Sequence, residues 1–424
     1  MSRAGLLGTF AVFAVASAAA VLAQRTDAFV ASRDHPAIEY SKGPVTDRVA
    51  DLNRKIRDGS IRLKIDGPSG YLRSALEALK VPVESQVVLF SQNSSQGDLI
   101  SMKNPRSLFF NDAVSVGFVR GGTVLEVAAD DPRQGVIFYT LDQTAADVPQ
   151  FKRNDGCLAC HLSWSTLGVP GLFVLSMLTL PEDKNAYASG FVSDQRTSFE
   201  SRWGGWYVTG SLGSIRHMGN KPVSTGSTPD SAKPEARELR SLDGRFDTTA
   251  YLSPYSDVAA LMVLEHQTHM TNLITRLGWE ARLAAHEART QKSTRVEEAA
   301  SDLVDYALFV YEELLPGRIR GSSGFAEKFA ALGPADRKGR SLRQLDLDRR
   351  LMRYPCSYMI YSEAFNALPA GAKDLVYHRM WQVLSGQDKN ARYARLLLAD
   401  RQAIVDILLD TKKDLPAEFQ PVTR

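Results

Sequence analysis

The hydrophobic rhythm of the chain changes several times along its length. Residues 6–22 form an unbroken run of apolar and small side chains. Residues 47–57 and 71–79 then carry apolar positions at helical spacing and predict two amphipathic helices. Short β-rich runs follow at 85–90, 113–119, 123–128 and 135–139, with Gly121-Gly122 as a hairpin signal between the second and third. These runs predict a small antiparallel sheet with helices on one side. A further strand is expected over 172–180, and residues 219–243, rich in Pro, Ser, Gly, Lys and Glu, read as a long exposed loop. From Ser256 onward the period becomes helical. Asp257 is an N-cap candidate for a helix running to about Thr275, and further helices are expected over 296–315, 324–332, 345–352, 358–367, 373–384 and 400–409. The fold class this predicts is α+β. It divides into an N-terminal mixed region (24–150), a central segment (151–253) and a mainly α-helical C-terminal half (254–424).

The first residues bear on compartment. Arg3 gives a short positive start, the apolar run follows, and Val21 and Ala23 supply small side chains where a signal peptidase reads. Residues 1–23 are therefore expected to be an export signal cleaved after Ala23, which makes the mature chain periplasmic or otherwise exported. A retained anchor is the competing reading, and it would be the chain's one expected membrane contact. The full chain is 44% apolar and 23% charged with a formal net charge of +3, values typical of a globular protein. No stretch concentrates Lys and Arg among aromatics, so nucleic acid is not an expected partner. Three cysteines are too few for a disulfide scaffold. Cys356 lies among Tyr354, Pro355, Tyr358, Met359 and Ile360 and is expected to be buried.

The other two cysteines carry chemistry. Asn154-Asp155-Gly156-Cys157-Leu158-Ala159-Cys160-His161 contains Cys-x-x-Cys-His, the attachment signature of c-type haem. On a helical turn, positions i and i+3 share a face, so both sulfurs can form thioethers with one porphyrin. His161 follows directly and can ligate the iron. A thioredoxin-like redox pair would need a βαβ setting, whereas Gly168-Val169-Pro170-Gly171 soon breaks any helix after the motif. Structural zinc needs four ligands, and only one further cysteine exists, far along the chain.

With that motif the chain resembles the c-type cytochromes. Residues 396–415 are similar to the closing helix of a cytochrome c domain. Longer stretches resemble a large, poorly characterised group of bacterial monohaem cytochrome c-domain proteins: Arg202-Trp203-Gly204-Gly205-Trp206-Tyr207-Val208-Thr209-Gly210, Arg216-His217-Met218-Gly219-Asn220, Leu264-Glu265-His266-Gln267 and Tyr354-Pro355-Cys356-Ser357-Tyr358. The resemblance implies one covalent haem c with its iron, electron transfer and a redox partner protein, but no known substrate. The chain departs from small cytochromes in its length and in the mid-chain place of the motif.

A low-spin electron-transfer haem needs a second axial ligand. His217 or Met218 is the first candidate, His266 a weaker one on a stripe with Met262, Met270 and Leu273. His266 and His269, spaced i and i+3, are a remoter metal pair, and Glu265 can instead simply pair with His269. Trp164, Trp203, Trp206 and Tyr207 are candidate haem walls, and Arg202 or Arg216 a candidate propionate partner. Against the electron carrier stand two alternatives: a peroxidase- or oxidase-like oxidoreductase with an open distal site, using His266, His217 or Glu265 as acid or base, and a gas-binding sensor.

Overall fold

The structure, a computed structural model, describes residues 32–177, 190–222, 233–287 and 294–422. The expected export signal, part of the 172–180 strand and the middle of the 219–243 loop lie outside them.

Two helices open the described chain. α1 (Arg48–Arg57) is capped by Asp47, whose carboxylate accepts from the amides of Val49 and Ala50, and it buries Val49, Leu52 and Ile56 along one stripe. α2 (Leu72–Leu79) buries Leu72, Ala75, Leu76 and Leu79 in the same way. Six consecutive strands follow: β1 (Val87–Leu89), β2 (Arg106–Phe110), β3 (Val114–Val119), β4 (Val124–Asp131), β5 (Gly135–Asp142) and β6 (Phe151–Arg153). With β9 (Trp206–Tyr207) they make one antiparallel sheet of order β6-β5-β4-β3-β2-β1-β9. The expected sheet and its Gly121 turn are present. β2, β6 and β9 extend it beyond the predicted runs, and β6 and β9 come from the central segment.

Register decides what each face does. The row Phe109–Val116–Val127–Tyr139 points to the side covered by α1 and α2. The next rows, Phe110–Ser115–Ala128–Phe138 and Leu108–Gly117–Glu126–Thr140, point to the opposite side. That second face receives the Cys-x-x-Cys-His turn and the hairpin of β7 (Val174–Met177) with β8 (Gly190–Ser193).

The C-terminal half is helical, as its period implies. α4 (Val258–His286) runs 29 residues, roughly 44 Å, and continues past the expected end at Thr275. It is buried nearly all round to Trp279, and its buried polar residues, among them Glu265, His266, Gln267 and Asn272, are hydrogen-bonded to neighbouring segments. Asp257 caps it as predicted, accepting from Ala259 and Ala260 and also from the amides of Ser322 and Ser323. α5 (Thr294–Ala307), α6 (Phe325–Ala331), α7 (Glu363–Asn366), α8 (Ala370–Leu384) and α9 (Leu398–Thr411) complete the layer around the largest apolar core.

Three predicted helices differ. Residues 345–352 form a turn closed by a Leu345–Met352 bridge, because the Asp346 carboxylate accepts from Asp348 and Arg349 and draws the backbone out of a helix. The helix begun at 296 stops at Ala307. There the Tyr306 and Ala307 carbonyls are taken by Gln195 and by the Ser357 amide, and Phe309 and Tyr311 adopt left-handed backbone. Residues 358–367 split into a 3-10 turn and the short α7. The described parts of the expected 219–243 loop are not wholly exposed: Leu239 and Leu242 are buried against Val88, Phe90 and Tyr207.

Candidate functional site

Two residues after β6 ends the chain enters a 3-10 turn at Asp155–Cys157, capped by the Asn154 side chain on the Gly156 amide. It continues as the one-turn helix α3 (Leu158–His161). The turn anchors inward through Leu158, 6% exposed. Cys157 is half-buried beside that core, Cys160 is exposed, and both are free thiols. Three residues of tight helix bring the two sulfurs to one side of the turn.

His161 is held from several directions. Its ring stacks on Phe173 at 5.0 Å and packs against Phe138 of β5 at 4.9 Å. Its Nδ1 lies 2.9 Å from the Gly171 carbonyl oxygen. A carbonyl only accepts, so Nδ1 carries the proton and Nε2 carries the lone pair. Among the described residues no hydrogen bond reaches Nε2. Burial pushes the imidazole down to about 4, so the ring is neutral at pH 7. The Gly171 carbonyl is itself fixed by α4. Asn272 receives the Leu172 amide at 3.2 Å and donates to the Leu172 carbonyl at 2.7 Å. A Cβ on Gly171 would sit 2.0 Å from the Asn272 amide oxygen, so only glycine admits this approach.

Beneath this turn the sheet face carries charge. Glu126 of β4 pairs with Arg106 of β2 at 2.5 Å, and the hydroxyls of Ser94 and Ser95 donate to the same carboxylate. Arg106 crosses over Gly117 of β3 to reach it, where a Cβ would lie 2.5 Å from its guanidinium. Burial works against ionisation of Glu126, but Arg106 and the serines leave its carboxyl below the usual range. Nothing in the sequence singles out Arg106, Glu126, Phe138, Phe173 or Asn272. They become neighbours of the motif only through strand register and the helix packed on it.

The expected distal ligands are not gathered here. His217 lies beside β9, five strand spacings from β5, on the order of 20 Å across the sheet. It is fully buried against Trp203, and its Nδ1 accepts from the Gly219 amide. That bond places the ring proton on Nε2, so neither nitrogen offers a lone pair to a metal. Met218 is 7% exposed in the same region, its amide donating to the Arg202 carbonyl. His266 has both nitrogens occupied, Nδ1 by Gln195 Oε1 at 2.5 Å and Nε2 by Ser357 Oγ at 2.7 Å, and is stacked on Tyr306 and Phe309. It is a hydrogen-bonded core histidine. His269 instead approaches the Arg196 guanidinium at 3.3 Å, while Glu265 pairs with Arg202.

The wall and propionate candidates divide. Trp164, next to the motif, is 64% exposed. Trp203, Trp206 and Tyr207 are core residues; Trp206 donates to the Leu175 carbonyl and Tyr207 to that of Met102. Arg202 is buried, donating to Glu265 at 3.2 Å and to the carbonyls of Thr197 and Gln195, so it is not available to a propionate. Arg216 is exposed and donates to the Pro234 carbonyl. Cys356 is fully buried as expected, and burial pushes its thiol up to about 12. The segment likened to a closing cytochrome helix forms α9 and packs on α8.

No family model, curated protein or solved structure matches the chain. Among the described residues, no helix is long and apolar enough to cross a membrane, and no group of three or more His, Cys, Asp or Glu could hold a bare metal ion.

Proposed function

We propose that this is an exported c-type cytochrome holding one haem through Cys157 and Cys160, with His161 as the iron's proximal ligand, and that it passes electrons to a protein partner. One observation carries the reading. On the turn that bears two free thiols, the histidine gives its Nδ1 proton to a backbone carbonyl and keeps Nε2 neutral and without a hydrogen bond among the described residues. A proximal ligand needs that tautomer, and its carbonyl partner fixes the ring's orientation and raises its basicity. The thiols are three positions apart on one side of the turn, which suits two thioether links to one macrocycle. When bound, the haem supplies a one-electron couple at iron.

The chain's own residues do the rest. Phe138 and Phe173 hold the imidazole from two sides, and Asn272 fixes the loop that bears its hydrogen-bond acceptor. Exposed Cys160 and Trp164 leave the site's edge at the surface, where electron exchange with a partner needs no bound substrate. The second reading, an oxidoreductase or gas-binding module with an open distal side, is favoured by a separate observation: His217 and His266 are engaged elsewhere.

Absorption spectra of the purified ferric and ferrous protein, with and without carbon monoxide, test the proposal. A six-coordinate low-spin spectrum unmoved by carbon monoxide is the result expected of the electron carrier. A high-spin ferric form whose ferrous state takes up carbon monoxide selects the second reading. Absence of haem absorption refutes both.

A further inference from the structure

We propose that the Arg106–Glu126 ion pair, laid across Gly117 on the sheet face behind His161, is a balanced pair that keeps either charge from acting alone on a haem held at Cys157–His161, so that breaking it moves the reduction potential. The inference rests on the function proposed above and assigns a role to two residues that the motif does not contain.

Register places the pair. Glu126 stands opposite Thr140, and Ala128 opposite Phe138, so Glu126 and Phe138 are diagonal neighbours on one face. Such neighbours lie about 7–8 Å apart. Phe138 in turn touches the His161 ring at 4.9 Å. The carboxylate is therefore on the order of 10 Å from the imidazole, with the sheet's own side chains rather than bulk water between them. Both members of the pair are mostly shielded, at 17% and 15% side-chain exposure, so salt screens them weakly. Their field reaches both His161 and Cys157.

The arrangement is also built to stay in place. Gly117 supplies the gap for the guanidinium, and Ser94 and Ser95 occupy the carboxylate from the other side. Arg106 Nε is buried and has no hydrogen-bond partner among the described residues. An arginine fixed at that cost is placed for its charge as much as for its bonds. As a pair, the two charges nearly cancel at the site. Removal of either one leaves the other acting alone on whatever charge the iron carries.

Potentiometric titration of the haem-loaded protein tests this, with Glu126→Gln, Arg106→Gln and the double variant. Removing the carboxylate leaves a cation that favours the ferrous state, so the potential rises. Removing the guanidinium leaves an anion that favours the ferric state, so the potential falls. At about 10 Å and an effective dielectric near 20, each single change shifts the ferric-to-ferrous ratio at fixed potential roughly tenfold, in opposite directions. The double variant returns near wild type, and Arg106→Lys, which keeps the charge, stays near it even if Arg106→Gln folds poorly.

Single variants that shift the same way, or by less than twofold, overturn the inference. Intact mass on the same preparations separates the two claims. Wild type without haem overturns the functional reading on which the inference rests. Haem on every variant with an unmoved potential overturns the inference alone.

Discussion

Replacing Arg202 with methionine gives a large, pH-dependent loss of stability whose size follows from its surroundings. Arg202 is 2% exposed and Glu265 not at all. The guanidinium donates to Glu265 and to the carbonyls of Thr197 and Gln195, and lies 4.3 Å over the Phe199 ring. Burial already raises the Glu265 carboxyl above its ordinary 4.5, with Arg202 as the main opposing influence. Without the arginine the buried carboxylate takes a proton. From 4.5 to pH 7 that costs at most about 3.5 kcal/mol, at 1.36 kcal/mol per unit. Two carbonyls that lose their donor add about 1 kcal/mol each, less what methionine regains in packing. The expected loss at pH 7 is about 4 kcal/mol, within the 3–5 kcal/mol typical of a buried pair broken on one side.

The sign of the pH dependence is fixed as well. A carboxyl with a raised folded pKa gives its full stability below the unfolded value and loses it as pH rises through the folded one. The deficit of Arg202→Met should therefore narrow as pH falls from 7 toward 4.5. Arg202→Met with Glu265→Gln should recover most of the loss at pH 7. Urea unfolding followed by the fluorescence of Trp203 and Trp206, which follow Arg202 closely in sequence, reads all three. An equal deficit in single and double variants, or one indifferent to pH, would refute the reasoning.

Three further outcomes are expected. Asp257→Ala strips the acceptor from four amides, those of Ala259, Ala260, Ser322 and Ser323, and should cost about 3 kcal/mol in urea unfolding, with Asp257→Asn recovering part; a loss under 1 kcal/mol contradicts the cap. Cys356, buried with its thiol at about 12, should resist alkylation in the native protein and react only on unfolding, while unloaded Cys160 labels readily; peptide mass mapping tells them apart. His266→Gln and His217→Gln should leave the ferric spectrum of loaded protein unchanged, whereas His161→Gln abolishes it; a shift in either of the first two would restore that residue as an axial ligand.

What the sequence shows and what it hides divide along the range of the interactions. The Cys-x-x-Cys-His turn, the Asp257 cap and the Gly121 turn are local, so spacing alone exposes them, and the buried surroundings of Cys356 follow from its neighbours. Residues 345–352 have apolar spacing that suits a helix, but one carboxylate, Asp346, outcompetes the helical bonds. The site's wider neighbourhood is not local at all. Arg106 and Glu126 lie on strands separated by β3 and meet because Gly117 has no side chain. His217 and Met218 stand at a plausible chain distance from His161, yet the strand order carries them to the far edge of the sheet. Chain distance cannot report that, because sheet order is fixed by pairing between segments far apart in sequence.

The central claim is a covalent link, and denaturation leaves such a link intact. The full chain, expressed in a host that matures c-type haem and then fully unfolded, should carry one haem per polypeptide by intact mass, retained in a Cys157–Cys160 peptide and lost when both cysteines become serine. Unfolded wild-type chain at its bare polypeptide mass, from cells in which a control cytochrome is matured, would contradict the account outright.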